Sequence, residues 1–187
     1  MYGRLPKTLN INGKEYAIRS DFRDCLNILI ACDDPDLNKN EKIMVILKIL
    51  YPDYKSFKEQ DMEEAINKAI WFLNCGDSTK SEAINSKKVY DWEQDEQMIF
   101  SAINKVSNKE LRSEEYVHFW TFLGYFHEIG EGLFSTVINI RQKKNNGKKL
   151  EKYEQEFYKK NKSIIDLKKR YSKEQQAEID YINSLLN

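Results

Sequence analysis

Apolar residues alternate with polar ones at the start of the chain and recur every three or four positions after that. Thr8-Leu9-Asn10-Ile11 and Lys14-Glu15-Tyr16-Ala17-Ile18 flank Asn12-Gly13, a pair suited to a type I′ turn because both positions take positive φ. In that register Leu9 faces Tyr16, and Ile11 and Ile18 share their side. One face of the hairpin is therefore apolar. A lone hairpin is marginal in water, so this face is expected to pack on helices.

Everything after Ser20 has helical periodicity. Phe22, Cys25, Leu26, Leu29 and Cys32 follow the i, i+3, i+4, i+7 pattern, with Ser20 as expected N-cap and Asp33-Asp34-Pro35-Asp36 as the stop. Asn38 and Glu41 stand in capping-box spacing before a helix over about 41–50 that is apolar on nearly every side, which predicts a central position. Met62, Ala65, Ile66, Ala69, Ile70 and Leu73 form an amphipathic stripe closed by Gly76, and Asp77 to Lys88 reads as an exposed loop. A fourth helix over about 91–106 turns Met98, Ile99, Ala102, Ile103 and Val106 inward. Ser113 is then expected to cap an aromatic helix bearing Tyr116, Phe119, Trp120, Leu123 and His127, broken by Gly130-Glu131-Gly132. Phe134, Val137, Ile138 and Arg141 mark the next helix.

From Lys148 onward there is no Gly or Pro. Leu150, Phe157, Ile164 and Tyr171 recur every seven residues, with Tyr153 and Leu167 between them and Lys160 interrupting the seam. Ser172 and Gln175 form a second capping-box spacing before a stripe of Ile179, Ile182, Leu185 and Leu186. The expected class is mainly α: a multi-helix bundle with a short N-terminal β-hairpin and a C-terminal helical arm. A boundary near Asn145 divides a hairpin plus compact helical domain, 1–144, from a basic helical extension or hairpin, 145–187.

Composition narrows the chemistry. The 187 residues are 41% hydrophobic and 12% aromatic, with seven Gly and three Pro, enough to bury a self-sufficient core. Cys25, Cys32 and Cys75 are too few and too scattered for a disulfide scaffold or a four-ligand zinc site, and read as free buried thiols. No apolar run approaches the roughly 20 residues of a membrane span, and Met-Tyr-Gly-Arg-Leu-Pro is no signal region, so a cytoplasmic location is expected. Glu115-x-x-His118 has the spacing of a di-iron ligand pair. His127 has Gly124, not Glu, three residues upstream, so a second pair is missing and a structural or solvent-facing role is expected. Asp91 and Asp95 lie where a helix begins and read as capping or dipole acids. Gly130-Glu131-Gly132 lacks the rest of a phosphate loop, and no nucleophile motif is present. No enzyme activity, cofactor or metal is expected.

Charge is neutral only in total, with 30 basic and 30 acidic side chains. Residues 141–187 hold 13 Lys/Arg against 7 Asp/Glu, or +6, which leaves 17 against 23, or −6, for residues 1–140. Lys143-Lys144, Lys148-Lys149 and Lys168-Lys169-Arg170 read as a solvated face, as a contact for an acidic protein, or, least favoured, as a nucleic-acid site. The split predicts salt-sensitive self-association of body and tail.

Three stretches together carry a resemblance: Tyr90-Asp91-Trp92-Glu93-Gln94-Asp95 through Met98-Ile99-Phe100, then Phe119-Trp120-Thr121-Phe122-Leu123, then Val137-Ile138-Asn139-Ile140-Arg141. With the opening Leu5-Pro6-Lys7-Thr8-Leu9-Asn10, and in this order, they resemble the bacteriophage gene-product-fifteen family, encoded in siphophage and prophage tail modules near the tape-measure gene. Phe119 stands where that family usually has the first of two tryptophans. The resemblance implies a non-enzymatic tail-assembly chaperone in the host cytoplasm. Its partners would be the tape-measure protein and the tail-tube protein, with a homo-oligomer as a further expectation. It leaves open a structural tail component, or a host-directed or regulatory binder using the basic C-terminal helix. A client helix would meet exposed aromatics, for which Phe119, Trp120, Phe122, Tyr125, Phe157 and Tyr171 are the candidates.

Overall fold

The computed structural model describes residues 3–77 and 87–186, without the side chains of residues 185 and 186. Most of the loop expected over Asp77 to Lys88 lies outside the described residues. The chain is mainly helical with one two-stranded antiparallel hairpin, and it forms two compact units, residues 1–78 with 169–187, and residues 79–168. No described helix is long and apolar enough to cross a membrane.

In the first unit, β1 (Thr8–Ile11) and β2 (Lys14–Ala17) pair in the expected register, Leu9 opposite Tyr16. Asn12 and Gly13 have φ of 49° and 82°, the left-handed geometry of the I′ turn. Three helices follow, α1 (Phe22–Cys32), α2 (Lys39–Leu50) and α3 (Met62–Leu73). The apolar hairpin face, Leu9, Ile11 and Tyr16, is buried, and β1 packs on α3. The turn is anchored there too: Asn12 donates its amide to Glu64 and its side-chain NH2 to Asp61, at 2.8 and 2.7 Å. Such cover lets a two-stranded sheet persist.

Arg19 joins the hairpin to α2. Its guanidinium donates to the carbonyls of Lys48 and Ile49, orphan acceptors at the end of that helix. Asp21, not Ser20, caps α1, accepting from the Arg23 amide. Asn38 and Glu41 form the expected reciprocal capping box. α2 is less central than its composition implied. It buries Ile46, Leu47 and Leu50 but exposes Met44, because α1 and α3 cover only part of its circumference. Tyr51, buried after α2, donates its hydroxyl to the Ala65 carbonyl. Cys25, Cys32 and Cys75 are free thiols, with Cys25 buried and burial pushing its thiol well up. α9 (Lys173–Leu186) is capped by the expected Ser172–Gln175 box, and the Lys173 amide donates to Asp36.

The second unit contains α4 (Glu96–Ser107), α5 (Phe119–His127), α6 (Leu133–Asn145), α7 (Lys152–Lys160) and α8 (Lys162–Ile165). Its interior, among the described residues, includes two groups. Tyr90, Trp92, Phe122, Phe126 and Phe134 make a chain of aromatic contacts with centroids 4.9–6.1 Å apart. Val137, Ile140 and Ile165 pack with Met98, Leu150, Phe157 and Tyr158.

The division differs from the one expected at Asn145. Residues 148–168 fold back on α6, so the heptad seam does not continue as an arm. Asn161 ends α7, and its side chain donates to the Phe157 carbonyl. That break shifts the apolar register by one: Ile165 is buried and Ile164 is 36% exposed. Replacing Asn38 with Ala removes the acceptor for two amides at the start of α2. It is expected to lower the unfolding free energy by about 1 kcal/mol in urea titrations.

Candidate binding site

The placement of α4 and α6 rests on a buried ion pair. Asp95, the residue before α4, is 1% exposed and Arg141, in the last half of α6, is 4% exposed. Arg141 donates through Nη1 and Nη2 to the two carboxylate oxygens of Asp95, at 2.5 and 2.9 Å. Its other three N–H groups go to the carbonyls of Val89, Ile164 and Ile165, at 3.0, 2.7 and 2.6 Å. Every donor of the guanidinium is used, which is the condition under which a buried charge is tolerated.

The neighbours extend this network. Asp91 accepts the amides of Glu93 and Gln94 and an ion pair from Lys88. Burial works to raise the Asp91 carboxyl, but these amides and the Lys88 ammonium outweigh it and hold it down at about 2. Asp95 also accepts the Asp91 amide. Gln94 clamps the segment after α8, donating to the Asp166 carbonyl and accepting the Lys168 amide. Lys144 and Tyr158 hold the Asp166 carboxylate, and Lys143 holds Glu154. Asp91 is therefore a capping acid, but of the turn that leads into α4 and not of the helix itself, which starts at Glu96. Asp95 is instead the partner of an arginine 46 residues away, and nothing in the local pattern ties them.

α5 starts later than expected. Ser113 closes a short 3-10 turn, and His118 is the N-cap, its Nδ1 accepting the Trp120 amide at 3.1 Å. Glu115 and His118 thus do not share a helical face, and no metal-binding group of three ligands exists among the described residues.

The expected aromatic strip is not one surface. Phe119 and Phe122 are buried, and Trp120 and Tyr125 are half-buried on the same helix. Phe157 is half-buried against Val137, Ile140 and Ile165, while Tyr171 is 42% exposed in the other unit. Of the expected stripe, Phe119 turns inward together with Phe122, Trp120 and Leu123 are half-buried, and Tyr116, which precedes the helix, is 44% exposed.

A concave surface does exist, with one wall on residues of α4 that the sequence pattern turned inward. Met98, Ala102 and Val106, at intervals of four along α4, form one wall. Ile129, Leu133 and Phe134 form the other, across the glycine break between α5 and α6. The groove encloses about 490 Å³. Met98, Ala102 and Val106 are only half-buried, and Leu133 is 49% exposed. Gln97, Lys105 and Glu131 stand among its polar residues, and Lys105 Nζ reaches the Glu131 carbonyl at 3.5 Å. Ser135 and Thr136 donate to the carbonyls of Gly130 and Gly132 and so hold the break in shape.

A family model described as bacteriophage Gp15 protein matches residues 1–167. The chain belongs to this family. The Gp15 match spans the hairpin, both ends of the Asp95–Arg141 pair, and both walls of the groove. It ends one residue before Lys168, where the Gln94 clamp also ends, and leaves α9 outside. The stretches that carried the resemblance to Gp15 proteins are thus largely the ones that build the buried network and the aromatic core. No curated protein and no solved structure matches the chain.

Truncating Arg141 to Met strands Asp95 without a counter-charge and should cost about 3–5 kcal/mol. The double variant with Asp95→Leu should be less destabilised than the sum of the singles, as read by a double-mutant cycle in urea. For Asp91 the folded carboxyl lies below its ordinary value of 3.8. Its stabilisation is therefore present above pH 4 and lost as pH falls through about 2. Asp91→Asn should cost on the order of 1–2 kcal/mol at pH 7, with the gap to the native chain closing between pH 4 and pH 2.

Proposed function

We propose that this chain is a non-enzymatic phage tail-assembly protein that acts as a chaperone for the tape-measure protein in the host cytoplasm. The observation that carries the reading is the groove between α4 and the start of α6. Apolar positions at i, i+4 and i+8 on one wall run about 12 Å along the helix, a span matched by two turns of an amphipathic client helix. Recognition of that kind buries two or three apolar anchors and leaves the polar face of the client in water. Met98 suits such a seat, since its flexible thioether adapts to differing side chains. Membership of a phage family supports the setting, and the tail-tube protein is the partner expected to displace the chaperone from its client.

Co-expression with the tape-measure protein of the same phage tests the reading. A soluble complex that survives gel filtration is expected, and Leu133→Asp, which puts a charge at a half-exposed groove position, should abolish it while leaving the circular dichroism unchanged. If client solubility does not depend on this chain and no complex forms, the chaperone reading fails. Mass spectrometry of purified virions should find the chain absent; its presence at stoichiometric levels would make it a tail component.

A further inference from the structure

The outer face of α7 is basic for a structural reason. At 100° per residue, Glu154, Phe157 and Tyr158 turn to one side of this helix, and they are its buried and half-buried positions. The opposite side carries Lys152, Lys159 and Lys160, all exposed, and Lys148, Lys149 and Lys168 flank the α7–α8 segment. Two of the acids in this stretch are paired within the unit: buried Glu154 with Lys143, and the part-exposed Asp166 with Lys144 and Tyr158. The six outer lysines enter no ion pair among the described residues. Pairing of two of the four acids thus leaves the exterior with most of the surplus of a segment, 141–168, that holds ten basic and four acidic residues. Tyr153, 68% exposed, stands beside the lysines.

We propose that this face docks an acidic protein segment, with Tyr153 as its apolar anchor. Charge complementarity selects an anionic partner, and two features select a protein over a nucleic acid. The one arginine within residues 141–168 is buried and saturated, so the face has no guanidinium fork for phosphates. A single exposed tyrosine matches the anchors of protein interfaces, while single-stranded nucleic acid is held by successive stacking aromatics. The site does not involve the groove, so it stands or falls apart from the chaperone reading.

The test is a pair of anisotropy titrations of the full chain. One uses a labelled peptide of repeated Glu-Glu-Leu, the other a labelled single-stranded DNA of equal net charge. The peptide is expected to bind more tightly than the DNA and to weaken with added salt. The triple variant Lys152→Glu, Lys159→Glu, Lys160→Glu should lose at least ~10-fold in peptide affinity. The Lys→Gln triple variant, which keeps the helix without reversing charge, should show a smaller loss. Tyr153→Ala should weaken binding while leaving the salt dependence unchanged. DNA binding as tight as peptide binding overturns the proposal in favour of nucleic acid. Absence of peptide binding, or triple variants that bind normally while folded, overturns it in favour of a solvated face.

Discussion

The second unit is organised around the need to neutralise and saturate one buried guanidinium. Arg141 sits almost fully out of water, and each of its five N–H groups must find an acceptor or the charge becomes prohibitive. The acceptors come from three separate places in the chain: Asp95 before α4, the carbonyl of Val89, and the carbonyls that end α8. Satisfying the arginine therefore fixes where α4 begins relative to α6 and forces residues 164–168 back against both. The orientation of the groove walls, α4 on one side and the first turn of α6 on the other, follows from the same constraint.

Packing then acts on a frame already set by polar contacts. The aromatic chain from Tyr90 to Phe134 fills the space near the N-terminus of α6, and Val137, Ile140 and Ile165 fill the space near its C-terminus. Met98 belongs to the rim of the second cluster and to the groove, so the concave surface continues a core and is not a separate feature. The first unit is built the other way round. There an apolar hairpin face packs on helices, and polar contacts such as Asn12 with Asp61 and Glu64 fix the docking.

Local signals in the sequence were reliable where one residue decides the backbone. Asn12-Gly13 specified its turn, Asn38 with Glu41 and Ser172 with Gln175 specified helix starts, and the alternation of Leu9, Ile11 and Tyr16 specified the buried hairpin face. They failed where a competing residue stood close by. Asp21 displaces Ser20 as a cap, and His118 displaces Ser113, because the preceding backbone is already committed to an extended or 3-10 course. The later start at His118 leaves Tyr116 outside α5, while Phe119 and Phe122 are core residues and the groove falls to Ala102 and Leu133. A half-buried groove wall and a buried core stripe have the same helical period, so periodicity alone does not separate them.

The chain by itself determined its class, its hairpin, most of its helix positions and its family, since these follow from local periodicity, turn chemistry and the order of motifs. It also carried the charge split, +6 after residue 140 against −6 before it. Only the tertiary structure decided what that split means. Arg141, Lys143 and Lys144 spend their charge on Asp95, Glu154 and Asp166, so the basic stretch is partly an internal fastening that ties α6 to the residue before α4 and to residues 154–166. Ion pairs separated by 11 to 46 positions leave no periodic trace, because the chain between them is free to take any path that brings the partners together. The fold selects the pair, and the sequence shows only two charges.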